Sequence, residues 1–303
     1  MATAIKIPRT NPLRFYASGN SLEDIAVSYE QTVKTYCQRF TKSMFLNFQV
    51  HVLTGSYDAF TCDVEQLHED DTITTEMELA ATAVTIVGSS YEYDVITARG
   101  LYSSTYDILA ELPVGVYRLN MTFEMKTIDD KQFYTEWFEI VDSVSDCLLF
   151  NYSHNENDYD TAFQLNADGS SPQSFQFLVE GGLWSQDFTP IAKDTAYTDQ
   201  LHDVVLLKSI PYNTMKLTFG TAKGFPNWIA DRINRIFSLD TVLINNLQYC
   251  KAEGARMEAV AVDRYPYRAW TLEVQEPETK YSDEYDATAG MGDFNDDFNT
   301  DFF

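Results

Sequence analysis

Val116-Tyr117-Arg118-Leu119-Asn120-Met121-Thr122-Phe123-Glu124-Met125 is the stretch that decides the fold class. Leu119, Met121, Phe123 and Met125 fall on one side of an extended strand, and Arg118, Asn120, Thr122 and Glu124 on the other. That period of two is what a sheet with one wet face requires. Leu112-Pro113-Val114-Gly115 supplies the turn before it, Pro fixing φ and Gly accepting φ > 0. Ile128-Asp129-Asp130-Lys131 turns the chain into a second extended run, Phe133 to Ile140, and completes a hairpin.

The same rhythm extends outward. Phe48, Val50 and Val52 alternate with Asn47, Gln49 and His51, which places His51 on the polar face of a strand; residues 74–87 are rich in Thr, Val and Ile, and 91–97 alternate again. A Leu-Pro-x-Gly-x-Tyr-x-Leu pattern followed by a hairpin resembles immunoglobulin-like and fibronectin-like sandwiches, so residues 40–142 are expected to form one. Residues 1–39, with Pro8, Pro12 and Phe15, read as an irregular N-terminal arm available to clasp neighbours.

A second β-rich unit is expected over 143–276. Its strands are Cys147 to Tyr152, Ser174 to Glu180 (halted by Gly181-Gly182), 202–208 and 214–219 (divided by Ile210-Pro211-Tyr212-Asn213), 241–249, 257–262 and 269–274. One segment breaks the pattern: Ile229, Ile233, Ile236 and Phe237 recur at helical spacing, predicting a short amphipathic helix over 227–237 with Asn227 as N-cap. The fold class is therefore mainly β: two β-sandwich-like domains with one short amphipathic helix.

The chain has 303 residues, 45% of them apolar and 14% aromatic, enough for a sizeable core. Forty-six acidic residues against 21 basic ones give a formal charge of −25. Such a surface repels phosphate backbones and anionic lipid heads, which argues against nucleic-acid and membrane partners. No apolar run approaches a membrane span, and the first twelve residues lack the apolar core of a secretory leader. Cys37, Cys62, Cys147 and Cys250 are widely spaced with no C-x-x-C pair, so reduced, mostly buried thiols are expected rather than disulfides or a zinc site.

The end of the chain differs from all that precedes it. Residues 281–303 hold seven acidic residues and no basic one, interleaved with Tyr281, Tyr285, Phe294, Phe298, Phe302 and Phe303. Phe294, Phe298 and Phe302 recur every four residues, as groove anchors on a helical turn would. Residues 277–303 therefore read as a docking tail, with Phe294, Phe298, Phe302 and Phe303 as partner-binding residues. Asp293-Phe294-Asn295-Asp296-Asp297 offers oxygens at the first, third and fifth positions of a calcium loop, but Phe298 stands where Gly is needed and the twelfth position lies past the end. His154-Asn155-Glu156-Asn157-Asp158-Tyr159-Asp160 together with Glu180 would be glycosidase apparatus only if the carboxylates faced each other; solvated loop charges are the plainer reading. The four histidines show no converging pattern, and G-x-S-x-G, H-E-x-x-H, Walker and G-x-G-x-x-G motifs are missing. Hence no catalytic residue, cofactor or metal ligand is assigned, and Asn120-Met121-Thr122 and Asn151-Tyr152-Ser153 read as coincidental glycosylation patterns.

Over residues 147–276 the order Cys147-Leu-Leu-Phe-Asn-Tyr152, Phe175-Gln-Phe-Leu-Val-Glu-Gly-Gly-Leu183, Tyr197-Thr-Asp-Gln200, Ile210-Pro-Tyr-Asn213 and Thr218-Phe-Gly-Thr-Ala-Lys-Gly-Phe-Pro-Asn-Trp228 resembles β-rich virion proteins of phages and prophages of Bacteroides-type bacteria, the crAss-like phages included. The resemblance implies a non-enzymatic structural subunit of a phage tail in a ring, hub or adaptor position. It also implies synthesis in the host cytoplasm without a signal peptide. The implied partners are other tail proteins and copies of itself in a homo-oligomeric ring, with no cofactor. The aromatic richness leaves a glycan- or receptor-binding tail module as the alternative, and a carboxylate-dependent hydrolase as a third reading.

Overall fold

The alternating stretch folds as its pattern demands: Tyr117, Leu119, Met121 and Phe123 are fully buried while the residues between them are only partly covered. The computed structural model describes residues 5–18, 37–78, 82–87, 92–97, 108–164, 172–198, 200–220, 224–262 and 267–276. The first half comprises β1 (Ile5–Lys6), β2 (Phe15–Ala17), β3 (Gln38–Thr41), β4 (Gln49–Leu53), β5 (Tyr57–Leu67), β6 (Ile73–Glu78), β7 (Thr82–Val87), β8 (Glu92–Thr97), the one-turn helix α1 (Ile108–Glu111), β9 (Gly115–Met125), β10 (Lys131–Thr135) and β11 (Phe138–Val141). The second comprises β12 (Cys147–Ser153), β13 (Phe175–Thr198), β14 (Val204–Phe219), the helix α2 (Asn227–Ile236), β15 (Thr241–Ile244), β16 (Leu247–Gln248), β17 (Cys250–Lys251), β18 (Glu258–Ala261) and β19 (Arg268–Gln275). The molecule is mainly β, as the alternation predicts.

In the first half β9 is central. Antiparallel β5 runs along one edge with β6 beyond it; β10 and β11 share the other edge and carry β2 and the parallel β3. A second sheet, β1-β4-β8-β7, contributes Val50, Val52 and Ile96, joined by Phe48 just before β4, to the same core as Val64, Leu119, Met121 and Phe123. Buried Tyr117 donates its hydroxyl to the Pro113 carbonyl at 3.0 Å, the corner contact typical of immunoglobulin-like sandwiches. The run Phe133 to Ile140 is not one strand. Tyr134 opposes Asn120 but Phe138 opposes Tyr117, so four steps on one side match three on the other. That extra residue is a bulge, and it turns Glu136 into the interior.

The second half is one sheet in the order β16-β15-β12-β13-β14-β19-β17, with β18 also on β19. Gly181-Gly182 does not halt β13. The strand pairs with β12 as far as Glu180 and with β14 from Gly181 onward. A Cβ at Gly181 would lie 2.3 Å from the Thr218 carbonyl oxygen, so glycine is there to permit a close backbone approach where the strand changes partner. Nor does Ile210-Pro211-Tyr212-Asn213 divide β14: Pro211 sits inside it, opposite Ala192, where no described strand pairs with the other edge and a missing N–H is tolerated. In α2 the residues Ile229, Ile233 and Ile236 are fully buried and Phe237 meets Phe150 edge-on. Pro226, not Asn227, occupies the N-cap.

The expected wet face of β4 is not wet. Asn47, Gln49 and His51 are buried because the second half lies against them, and burial pulls the His51 imidazole down to about 4. Gln49 is fully satisfied there. Its amide donates to the Ala162 carbonyl and to Gln173 Oε1, both at 2.7 Å, and its oxygen accepts from Ala162 N–H at 3.0 Å and lies 3.2 Å from His51 Nε2. Asn11 pairs with the Gln49 backbone in both directions, at 2.8 and 2.9 Å. Gln38 and Asn47 reach the carbonyls of Leu178 and Ser174. The N-terminal segment is part of this seam: β1 pairs with β4, β2 with β10, and Thr10, Asn11 and Leu13 are buried. So Pro8, Pro12 and Phe15, expected in an arm reaching for neighbours, are spent inside the chain's own fold. One apolar cluster runs from Leu13 to Val274.

Gln49→Leu keeps the volume but strands the Ala162 N–H and C=O in a buried seam. It should cost about 3 kcal/mol, read from the urea midpoint at constant slope. A loss below about 1 kcal/mol would show that the seam does not hold the halves together.

Candidate assembly surfaces

Among the described residues β13 and β14 are flanked by other strands only at their inner ends, and farther out Lys193 reaches Glu253 at 3.1 Å. At those inner ends β12 flanks β13 through Glu180 and β19 flanks β14 from Thr214 to Phe219. Outward of these, Thr189 to Thr198 pairs with Val204 to Thr214 as a two-stranded ribbon, and no described strand pairs with either outer edge. Two irregularities, between Trp184 and Thr189 and between Thr195 and Ala196, set its twist. The second leaves Leu207 without a cross-strand partner. Val204, Leu206 and Leu207 are 74%, 58% and 62% exposed, with Ile191 and Tyr197 also exposed beside them. Lys193 and Lys208 balance the charge of Asp194 and Asp203, so the described part of the ribbon is nearly neutral on a chain of net −25.

A second surface has the opposite chemistry. Arg9, Arg14 and Phe15 face Trp228, Asp231 and Arg232 of α2 across a cleft of about 390 Å³. Arg232 forms its buried floor: it donates to the Pro12 carbonyl, stands 3.3 Å from Glu136 Oε1 and lies 4.8 Å over the Trp228 ring. Glu136 also accepts the Arg14 N–H at 3.0 Å. Burial pushes the Glu136 carboxyl up to about 7, against the pull of Arg232 and Arg14. Asp231 is engaged by Arg235 at 2.8 Å. Arg9 is exposed and the Arg14 guanidinium lies 5.0 Å over the Tyr16 ring; Arg14 feels the Glu136 charge at a distance, and neither arginine makes a salt bridge among the described residues. The cleft is a cationic site on an acidic body.

The residues singled out from sequence separate. Phe294, Phe298, Phe302 and Phe303, and the Asp293–Asp297 loop, lie outside the described residues. Glu180 opposes Cys147 at one end of β12, whereas the 154–160 loop follows Ser153 at the other, about 20 Å away. The structure thus does not bring that carboxylate pair together. His154 is occupied structurally, with Nδ1 3.0 Å from Asp240 Oδ2 and its ring against Tyr159 and Phe163. Of the thiols Cys62 is buried, Cys37 and Cys147 are partly covered and Cys250 is exposed, fewer buried than expected, and no disulfide joins them. Among the described residues no group of three or more His, Cys, Asp or Glu could hold a metal ion. Sequence reading missed both surfaces. Val204-Val205-Leu206-Leu207 looks like a core strand, and Arg9, Arg14 and Arg232 are too far apart along the chain to be read as a group.

No protein-family model, curated protein or solved structure matches the chain.

Glu136 carries a pH signature. Its native carboxyl keeps a proton that the unfolded chain has already released, so stability from this group falls as pH rises from about 4.5 to about 7. The expected loss is on the order of 2–3 kcal/mol in wild type. Glu136→Gln should remove that slope in urea melts at stepped pH. An unchanged slope would place the titration elsewhere.

Proposed function

We propose that this chain is a structural subunit of a phage tail, in a ring, hub or adaptor position, that assembles through contacts with its own copies and with other tail proteins. The observation that carries the reading is the projecting β13–β14 ribbon with its exposed aliphatic side chains. An isolated two-stranded ribbon is marginal in water, and exposed apolar patches mark interaction sites. Its unflanked edges can also accept a strand from a neighbour. The near-neutral charge supports this further, because copies of net charge −25 repel over most of their surface and approach most easily where that charge is lowest. A ribbon on one face that seats on a different face of the next copy is the heterologous contact from which closed rings are built. The ribbon falls within residues 147–276, the part of the chain that resembles virion proteins.

Mass by light scattering and symmetry by electron microscopy test the reading. The wild-type chain should form a closed oligomer. Leu206→Asp/Leu207→Asp should raise the apparent dissociation constant at least about 100-fold with little change in the melting transition. A monomeric wild type, or an oligomer indifferent to the double substitution, would overturn it.

A further inference from the structure

We infer that the arginine-lined cleft between the N-terminal segment and α2 is the dock for the chain's own acidic-aromatic C-terminal segment, residues 281–303. Charge complementarity is the first argument. The segment carries seven acidic residues and no basic one, and the cleft presents Arg9 and Arg14, neither held in a salt bridge among the described residues. The second is the form of the segment. Asp293-Phe294, Asp297-Phe298 and Asp301-Phe302 repeat an acid followed by a ring every four residues. A guanidinium binds a carboxylate along its edge and an aromatic ring on its face, so each dipeptide offers both groups an arginine takes. The protein already uses the ring contact here, with Arg14 over Tyr16 and Arg232 over Trp228. A cleft of about 390 Å³ is of the size that holds a few side chains.

Reach is no obstacle. β19 ends at Gln275, and residues 277–303 extended span up to about 90 Å, more than the diameter of about 40–50 Å expected of a compact chain this long. The segment can therefore enter the cleft of its own body or of a neighbour. The inference goes beyond the tail-subunit reading and stands without it.

The test is photo-cross-linking in the full chain with p-benzoyl-phenylalanine in place of Phe298. Cross-links should map by mass spectrometry to peptides containing residues 7–15 or 228–232. Arg9→Glu/Arg14→Glu should lower their yield at least about tenfold, and adding Asp293→Lys/Asp297→Lys/Asp301→Lys to that variant should restore it. Cross-links mapping elsewhere, no cross-links, or a yield indifferent to Arg9→Glu/Arg14→Glu would each overturn the assignment. Mass is measured on the same samples. A monomer with the expected cross-links refutes the tail-ring reading and leaves the dock standing; an oligomer without them does the reverse.

Discussion

A buried polar seam joins the two halves, and the rest of the structure depends on it. Amides taken out of water cost several kcal/mol where donors and acceptors go unmatched, so the seam rests on nearly complete pairing, with the buried Asn47 Oδ1 left without a hydrogen-bond partner. Gln49 is matched with all of its side-chain hydrogen-bonding capacity engaged, and Asn11 completes the backbone of the same residue. Glu136 and Arg232 extend the match to charged groups, each with a further backbone partner. Direction is what such a seam adds to an apolar interface: the halves meet in one arrangement because a slip of one residue would strand several buried groups at once.

That fixed body explains why the ribbon projects. β13 and β14 are flanked where β12 and β19 pair with them and unflanked beyond, which leaves Leu206 and Leu207 exposed to solvent. Near-neutral ribbon and cationic cleft both depart from the chain's net acidity. At physiological salt charges act over about 8 Å, so docking is governed by what each patch presents locally rather than by net charge.

How much of this was legible from the chain varies with how local each feature is. Alternation in 115–125 and the helical spacing of Ile229, Ile233 and Ile236 predict elements that are present, because those side chains face a core whichever way the sheets are arranged. Alternation around Gln49 shows that the two faces differ, but not that the polar face is covered by another part of the chain. Glycine at 181 reads as a stop when only local conformation is considered; its need comes from Thr218, a residue 37 positions away. The inward turn of Glu136 arises from register against β9, which no local pattern around Thr135 records.

Sequence by itself determined the strand content, the place and apolar stripe of the helix α2, and the separation of an acidic-aromatic end from a β-rich body. These follow from periodicity and composition, which act within a few residues. Tertiary structure alone decided that a polar face is interior, that Val204-Val205-Leu206-Leu207 stands largely in solvent, and that Arg9, Arg14 and Arg232 share a cleft. Burial and convergence are set by pairing between residues tens to hundreds of positions apart, and that pairing exists only once the sheets have closed on one another.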